Sequence, residues 1–324
     1  MRIVRSLDHY AADARLLLSI GVFDGVHIGH RAVLSRLLAQ RKPGQIAGAL
    51  TFDRHPQEFL DPQARRLYLT TIDEKVNLLA GCGLDVLFLL PFDERIQSLE
   101  AEEFVETMLV TRLHTSTLIV GDQWRFGKGR RGDATLAEKI LTARGCVFEA
   151  APLLERDGEK VSSSRIRALI GERRFVEADA LLGSPYELRG DVVMGDGRGH
   201  ELGYPTANIA GPVEKLIPGP GVYACRARYE GRSYEAVTSL GDKPTFGGRN
   251  FTIETYIPAL SASIYGHQIA LTEWHFLRTQ ERFADVSALV LQMGRDVDRM
   301  RAHFRTSESN QAAASGSSRT VERS

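Results

Sequence analysis

The first half of the chain alternates short apolar runs with amphipathic helical stretches. The apolar runs predict strands at residues 16–23, 46–52, 86–90, 117–120 and 146–150. Helical periodicity predicts helices between them, at residues 30–40, 72–81, 101–113 and 134–143. Successive strands joined through helices pair in parallel, with helices on both faces of the sheet. The first half is therefore predicted to be an α/β domain with a doubly wound parallel sheet.

The pattern changes after about residue 186, where glycine and proline become frequent. Alternating β-like runs then occur at residues 187–194, 221–229, 234–240, 251–258 and 268–277. Closely spaced strands with turn residues between them are typical of a small β-barrel. An amphipathic helix is predicted at residues 286–304, and the Ser-, Ala- and Gln-rich residues 306–324 are predicted to be disordered.

Residues 21–30 read Gly-Val-Phe-Asp-Gly-Val-His-Ile-Gly-His, between the first predicted strand and the first predicted helix. His27 and His30 are three residues apart, so they share a face where the helix begins. Free N–H groups at a helix start attract anions, and Gly25 and Gly29 allow a ligand to approach closely. In isolation this is an ordinary Gly-rich turn with two surface histidines. In its strand-to-helix context it predicts a polyphosphate site.

A second basic and hydroxyl-rich segment, residues 162–167, reads Ser-Ser-Ser-Arg-Ile-Arg. Serine hydroxyls at a helix start can cap the helix and bind phosphate, and Arg167 offers a two-pronged donor for a departing pyrophosphate. Taken alone, the segment is a plain helix cap followed by basic surface residues. Ligands of parallel α/β sheets bind at the carboxyl ends of the strands, where residues 21–30, 51–56 and 121–127 are predicted to lie.

The second half has its own Gly-rich segment at residues 195–208, which ends in Tyr-Pro-Thr-Ala-Asn. Thr206 and Asn208 are two residues apart, so in an extended segment they point to the same face. Their oxygens suit one hard cation between phosphates. The alternative is a turn that begins at Pro205 and contains two common turn-forming residues.

The composition is that of a globular protein, with 43% hydrophobic and 25% charged residues and a formal net charge of zero. A neutral chain gives no reason to expect a nucleic acid or an anionic membrane as a partner. No apolar run is long enough to span a bilayer, and the N-terminal residues show no signal-peptide core. The three cysteines are widely spaced and fit a reducing compartment. We therefore expect a cytoplasmic protein.

Residues 21–30 resemble the His-x-Gly-His signature of the nucleotidyltransferase superfamily, and residues 162–167 resemble its Ser-Ser-Thr-x-Ile-Arg element. With the Leu-Thr-Thr…Lys segment at residues 69–75 and the Leu-Gly-Tyr-Pro-Thr-Ala-Asn element at residues 202–208, the order of segments from about residue 15 to 305 resembles the bacterial bifunctional riboflavin kinase/FMN adenylyltransferase (FAD synthetase) family. The resemblance implies a Rossmann-like adenylyltransferase domain at 1–182, a riboflavin kinase barrel at 183–305 and a tail at 306–324. It implies a transferase that phosphorylates riboflavin to FMN and adenylylates FMN to FAD, with ATP as co-substrate and Mg²⁺ as cofactor.

The resemblance also implies the site residues. The catalytic residues are His27, His30, Arg167 and Glu254, with Glu254 as the base for the ribityl hydroxyl. The ATP- and phosphate-binding residues are Gly21, Phe23, Asp24, Gly29, Ser163, Ser164, Thr206 and Asn208. Thr206 and Asn208 are also the metal ligands. The flavin-binding residues are His55, Pro56, Gln123, Trp124 and Arg278.

Several positions depart from the family pattern. Gln123 and Trp124 replace a shorter polar residue and Phe, and His200 replaces an arginine. In the barrel, Ser239 replaces Asn, and Ala259 and Leu260 replace an Asp-Phe pair. These changes leave two alternatives open: a single-activity FMN adenylyltransferase with a flavin-binding or regulatory barrel, and a non-catalytic flavin-nucleotide carrier or sensor. A related cytidylyltransferase would not explain the barrel segment. Self-association and a modified flavin substrate are left open.

Overall fold

The computed structural model describes residues 1–317 except 9, 13, 61–66, 196–198, 200, 201, 213, 246 and 247. Of residues 60, 242–245, 248–250, 308 and 310–317 it describes the backbone alone. The chain forms two compact units. The first contains Met1–Ile166, Leu181–Gly183 and Glu214–Leu216. The second contains Arg167–Ala180, Ser184–Val213 and the chain from Ile217 onward.

A six-stranded parallel sheet forms the centre of the first unit, with strand order β1-β4-β3-β2-β5-β6. Its strands are β1 (Arg2–Val4), β2 (Arg15–Ile20), β3 (Gln45–Phe52), β4 (Val86–Leu90), β5 (Thr115–Gly121) and β6 (Val147–Ala151). The predicted doubly wound parallel sheet is confirmed. Strand β1 was not predicted, because three residues are too few to show a periodicity.

Helices cover both faces of this sheet, because neighbouring residues of one strand enter two separate apolar cores. In β2, Leu16 and Leu18 pack into one core and Leu17 into the other. The helices are α1 (Ile28–Ala39), α2 (Pro56–Leu60), α3 (Ile72–Ala80), α4 (Glu94–Ser98), α5 (Ala101–Glu103), which continues as a π-helix over Phe104–Arg112, and α6 (Ala134–Ala143). A small hairpin, β7 (Glu155–Arg156) and β8 (Glu159–Lys160), precedes α7 (Ser163–Gly171) and α8 (Phe175–Leu182).

Strand β2 ends at Ile20, three residues before its predicted end. Phe23 and Gly25 have φ angles of 50° and 80°, in the left-handed region that a strand cannot contain. The prediction of a strand over residues 16–23 was therefore wrong at its carboxyl end. The early end leaves a turn between β2 and α1.

A closed six-stranded barrel forms the centre of the second unit, so the predicted small β-barrel is confirmed. Its strands are β9 (Leu188–Val193), β10 (Thr206–Ala210), β11 (Gly221–Tyr229), β12 (Arg232–Thr245), β13 (Gly248–Tyr256) and β14 (Gln268–Arg278). They pair in the order β10-β13-β12-β11-β14-β9. The last helix, α9 (Val286–Ser317), packs Met300 and Phe304 against the barrel residues Val222 and Leu277.

Helix α9 continues well past residue 305, although the sequence predicts a disordered tail over 306–324. The composition of this segment explains the difference, since alanine is the strongest helix former and three alanines occur at residues 312–314. The helix is described as far as Ser317, and residues 318–324 lie outside the described part of the chain.

Candidate nucleotide and flavin sites

The turn between β2 and α1 brings His27 and His30 together. His27 is the N-cap of α1, and its Nδ1 accepts the backbone N–H of His30 at 3.3 Å. The two rings stack with centroids 3.6 Å apart, and the edge of Phe23 meets the His30 ring at 5.2 Å. Gly29 permits this packing, since a Cβ there would lie 3.2 Å from the His27 ring. The predicted histidine pair is thus a single stacked unit at the start of a helix.

Both histidines are neutral at physiological pH. Burial lowers the pKa of His27 to about 4. The pKa of His30 is also lowered well below its usual value, first by burial and then by the nearby charges of His27 and Lys75. In the part of the chain that the structure describes, the buried Nδ1 of His30 has no hydrogen-bond partner. A neutral ring can still donate one hydrogen bond to a phosphate oxygen.

Asp24 organises the backbone of this turn. Its carboxylate is buried, and Oδ1 accepts the N–H groups of Leu69 at 2.8 Å and Thr70 at 3.3 Å. The N–H of Gly25 donates to Thr70 Oγ1 at 3.2 Å, and a Cβ on Gly25 would lie only 2.9 Å from Leu69. Asp24 therefore holds the turn next to the segment before α3. Its predicted contact with ATP remains a prediction.

The second predicted motif reaches the same turn through Ser163, whose Oγ donates to the backbone carbonyl of Asp24 at 2.9 Å. Ser164 is exposed in the first turn of α7, and Arg167 is half-buried one turn further along the helix. Residues 21–30 and 162–167, which are far apart in sequence, are therefore joined at Ser163. The phosphate-binding roles of Ser163, Ser164 and Arg167 remain predictions.

The predicted flavin residues of the first unit flank the histidine pair. His55 and Pro56 follow β3, whereas Gln123 and Trp124 follow β5, and these strands are the two neighbours of β2. The N–H of His55 donates to the Tyr68 hydroxyl at 2.8 Å. Gln123 accepts a hydrogen bond from Lys160 at 3.2 Å, and Trp124 stacks on Phe126 at 4.2 Å. Both predicted pairs thus lie at the carboxyl edge of the sheet.

In the barrel, the strand register brings Glu254 beside both predicted metal ligands. Glu254 on β13 pairs with Asn208 on β10 and with Ser239 on β12, and Tyr256 pairs with Thr206. Paired residues on neighbouring strands point to the same face of a sheet. A cavity of about 620 Å³ opens on this face, lined among others by Thr206, Ser239, Glu254, Tyr256 and Arg278. Its size suits a small organic ligand.

Arg278 lies at the rim of this cavity and is fixed by a buried carboxylate. Its Nε and Nη2 donate to Asp296 of α9, with Nη2 at 2.7 Å from Oδ2, and Asp296 also accepts from Gln292 at 3.0 Å. The side chains of Arg278 and Asp296 are only 13% and 3% exposed. The predicted flavin-binding arginine is therefore held in one orientation.

Two of the departures from the family pattern, Ser239 and Leu260, line cavities of the barrel. Ser239 accepts a hydrogen bond from Gln280 at 3.1 Å in the large cavity. Leu260 lines a second cavity of about 240 Å³, and Ala259 lies in the turn before it. Thr206 lines both cavities. Of the Gly-rich segment, residues 196–198, 200 and 201, including His200, lie outside the described residues.

Gly195 and Gly199 of that segment pack closely on the two predicted metal ligands. A Cβ on Gly195 would lie 2.0 Å from the Asn208 amide, and one on Gly199 would lie 3.1 Å from Thr206 Oγ1. Hydroxyl and amide oxygens in such a glycine cradle fit Mg²⁺ bound with phosphate oxygens and waters.

Three buried charged residues were not predicted: Lys75 and Lys215 of the first unit and Asp296 of the second. The sequence shows them as ordinary charged residues of helices and loops, so no local pattern indicated burial. Lys75 belongs to the Leu69–Lys75 segment that contributes to the family resemblance, which is the one signal that could have drawn attention to it.

Comparisons with known proteins also divide the chain into an amino-terminal and a carboxyl-terminal part. The FAD synthetase family model matches residues 10–165, and the riboflavin kinase family model matches residues 182–304. The bifunctional riboflavin kinase/FMN adenylyltransferase of Listeria monocytogenes is 34% identical over 90% of this chain and 93% of its own length. The protein of the same name from Escherichia coli is 33% identical over 91% of this chain and 96% of its own length.

This chain belongs to the bifunctional riboflavin kinase/FMN adenylyltransferase family. A crystal structure from Streptococcus pneumoniae, titled as a macrolide-efflux protein, has the same fold as this chain, with a TM-score of 0.84. The two sequences are 28% identical, and the match covers 92% of this chain and 98% of the other. Within the described residues, no helix is long and apolar enough to cross a membrane.

Proposed function

We propose that this chain makes FAD in two steps. The barrel of the second unit phosphorylates riboflavin to FMN with ATP, and the α/β unit adenylylates FMN to FAD with release of pyrophosphate. The observation that carries this proposal is that each unit has its own polar site. One is the neutral His27–His30 pair at a helix start, and the other is Glu254 beside Thr206 at the large cavity. We propose the sequence domain limits 1–182 and 183–305, although the segment Arg167–Ala180 belongs to the second compact unit.

In the adenylyl transfer, the phosphate of FMN attacks the α-phosphorus of ATP, the bond to the β-phosphate oxygen breaks, and pyrophosphate leaves. The attacking phosphate is already an anion, so no side chain has to remove a proton. We propose that His27 and His30 donate hydrogen bonds to the reacting phosphates, and that Ser163, Ser164 and Arg167 stabilise the departing pyrophosphate. Such positioning and charge stabilisation account for most of the catalysis of phosphoryl-type transfers.

The flanking residues would position the two nucleotides. We propose that Gly21, Phe23 and Gly29 let ATP approach the turn closely. His55 and Pro56 on one side, and Gln123 and Trp124 on the other, would contact the flavin. Their attachment to the two strands beside β2 supports this arrangement.

In the kinase reaction, the 5′-hydroxyl of riboflavin attacks the γ-phosphorus of ATP, the bond to the β-phosphate oxygen breaks, and ADP leaves. This hydroxyl is neutral and must lose its proton. We propose that Glu254 accepts this proton, while Arg278, fixed by Asp296, orients the flavin at the cavity rim. Thr206 and Asn208 would hold Mg²⁺, which when bound neutralises charge on the ATP phosphates. A carboxylate base is suited to this step because the 5′-hydroxyl is a poor nucleophile until it is deprotonated.

We further propose that the protein works in the cytoplasm, where ATP is available. Its three cysteines are all free, which is consistent with a reducing compartment. Its partners are the small molecules riboflavin, FMN, FAD and ATP. Self-association remains a prediction.

One observation favours the single-activity alternative: Ser239, a departure from the family pattern, lines the large cavity. Incubating the protein with riboflavin, ATP and Mg²⁺ and separating FMN from FAD tests both functions. We expect wild type to make both products and His30→Ala to make FMN alone. The exposed His267 provides a control, His267→Ala, that should retain both activities. FAD formation from FMN without FMN formation from riboflavin would favour the single-activity alternative, and parallel loss of both products in folded His30→Ala would refute the two-site proposal.

A further inference from the structure

Lys75 is a buried lysine in the first unit whose charged group is not neutralised by a direct contact. Its side chain is 2% exposed, and its backbone N–H donates to Thr71 in the first turn of α3. Among the described residues, no hydrogen bond or ion pair reaches its Nζ. Lys215, which is also buried, is by contrast paired with Glu74. A buried ammonium without a partner is unfavourable unless an anion binds it.

The surroundings of Lys75 identify where such an anion would bind. The negative charges of Asp24 and Asp53 act on the Lys75 ammonium, whose own charge acts on His30. Asp24 and His30 follow β2, whereas Asp53 follows β3, so Lys75 lies near the carboxyl ends of two adjacent strands. The buried Nδ1 of His30 also lacks a partner within the described chain. The Lys75 ammonium and this Nδ1 of His30 are therefore close enough to interact electrostatically.

The start of helix α3 is a poor anion site. Thr71 and Glu74 form a closed capping box: Thr71 Oγ1 accepts the N–H of Glu74 at 3.2 Å, and Glu74 Oε2 accepts the N–H of Thr71 at 2.9 Å. The box satisfies these two N–H groups, and the acidic side chains of Asp73 and Glu74 in the first turn repel an anion. The positively charged side chain of α3 is that of Lys75.

We propose that Lys75 binds the phosphates of ATP in the adenylyltransferase site. This inference rests on the proposed function of the first unit. A triphosphate would neutralise the ammonium, and it would also offer acceptor oxygens beside the His30 ring. Lys75 then serves in ATP binding and not in flavin binding.

The test uses the full chain and compares wild type, Lys75→Met and Lys139→Met. Methionine keeps most of the lysine stem without the charge, and Lys139 is an exposed lysine of α6. FAD formation from FMN is followed at varied ATP and at varied FMN. Inorganic pyrophosphate and adenosine serve as inhibitors. The KM for ATP in FMN formation from riboflavin is measured on the same samples as an internal control.

We expect Lys75→Met to raise both the KM for ATP and the Ki of pyrophosphate in FAD formation by about ten-fold or more, the effect of losing a charge-assisted hydrogen bond. The KM for FMN, the Ki of adenosine and FMN formation should change less than two-fold, and Lys139→Met should match wild type. An unchanged Ki of pyrophosphate, or an equal rise for adenosine and pyrophosphate, refutes the inference alone. A wild type that makes no FAD refutes the proposed function and the inference with it.

Discussion

Substitution of Lys215 should destabilise the α/β unit, although Lys215 lies between two barrel strands in the sequence. Residues 214–216 belong to the first unit. There they form a parallel bridge with Tyr68, through Tyr68 N–H to Glu214 and Leu216 N–H to Tyr68, each at 2.8 Å. The Lys215 ammonium donates to Glu74 Oε2, and the two side chains are 2% and 16% exposed. Lys215→Met would leave the Glu74 carboxylate buried without its counter-charge.

The size of the effect follows from this burial. Removing one partner of a buried ion pair destabilises a protein by about 3–5 kcal/mol. The lower end applies here, because Glu74 Oε2 keeps the N–H of Thr71 and methionine fills most of the lysine volume. A loss of about 3 kcal/mol in a unit of this size lowers Tm by about 6–12 °C. The double variant Lys215→Met/Glu74→Gln removes both charges and should recover at least half of the loss.

The two tryptophans allow the units to be followed separately, since Trp124 is in the first unit and Trp274 in the second. In a Trp274→Phe background, urea unfolding followed by fluorescence reports on the first unit alone. Residual FAD formation after heating provides a second measure. If Lys215→Met unfolds at the same urea concentration as its background, the buried pair does not stabilise this unit and the reasoning is wrong.

Three further predictions concern the second unit. Glu254→Gln should lower kcat for FMN formation by about 10²-fold or more, because the proton acceptor is lost. The KM for ATP should change little, and an unchanged kcat would exclude Glu254 as the base. Asp296→Asn leaves the Arg278 charge buried without a counter-charge. It should therefore raise the KM for riboflavin, measured by steady-state kinetics, and lower the free energy of unfolding by about 3 kcal/mol, measured by urea unfolding. Burial raises the pKa of Asp179 to about 6, so the fold disfavours its ionised form and loses stability as the pH rises towards and through 6. Asp179→Asn should therefore stabilise the protein more at pH 8 than at pH 5, by about 1 kcal/mol in urea unfolding.

Continuous apolar runs and long amphipathic helices could be predicted from sequence, and short polar helices could not. Strand Val86–Leu90 and helix Ala134–Ala143 have the predicted bounds. Helices Pro56–Leu60 and Glu94–Ser98 were not predicted, because five residues make little more than one helical turn and show no apolar period. The early end of β2 depends on positive φ angles at Phe23 and Gly25, and the sequence indicates such a conformation only at the glycine.

Features of the sites that depend on neighbouring positions in the sequence could be predicted, and features that depend on distant residues could not. The pairing of His27 with His30 follows from helical spacing, and the shared face of Thr206 and Asn208 follows from strand spacing, so both could be predicted. The residues whose charges act on Lys75 and Asp296 are distant in sequence, and only the tertiary fold brings them together. Asp296 is on α9 and Arg278 on β14, and the sequence gives no register between a helix and a strand. Burial of a charged side chain is likewise a tertiary property.

Whether a buried polar group has a hydrogen-bond partner within the protein helps to locate the nucleotide site. Asp24 is buried, but its Oδ1 accepts two backbone N–H groups, so it is satisfied without a ligand. The Nδ1 of His30 is buried without a partner in the described chain, which costs about 1–3 kcal/mol. We infer that a bound nucleotide removes this cost at His30. Lys75→Met should then leave the protein without nucleotide at least as stable as wild type. The rise in Tm that ATP produces in wild-type protein should be smaller in the variant, whereas a residue needed only for packing would lower Tm and leave that rise unchanged.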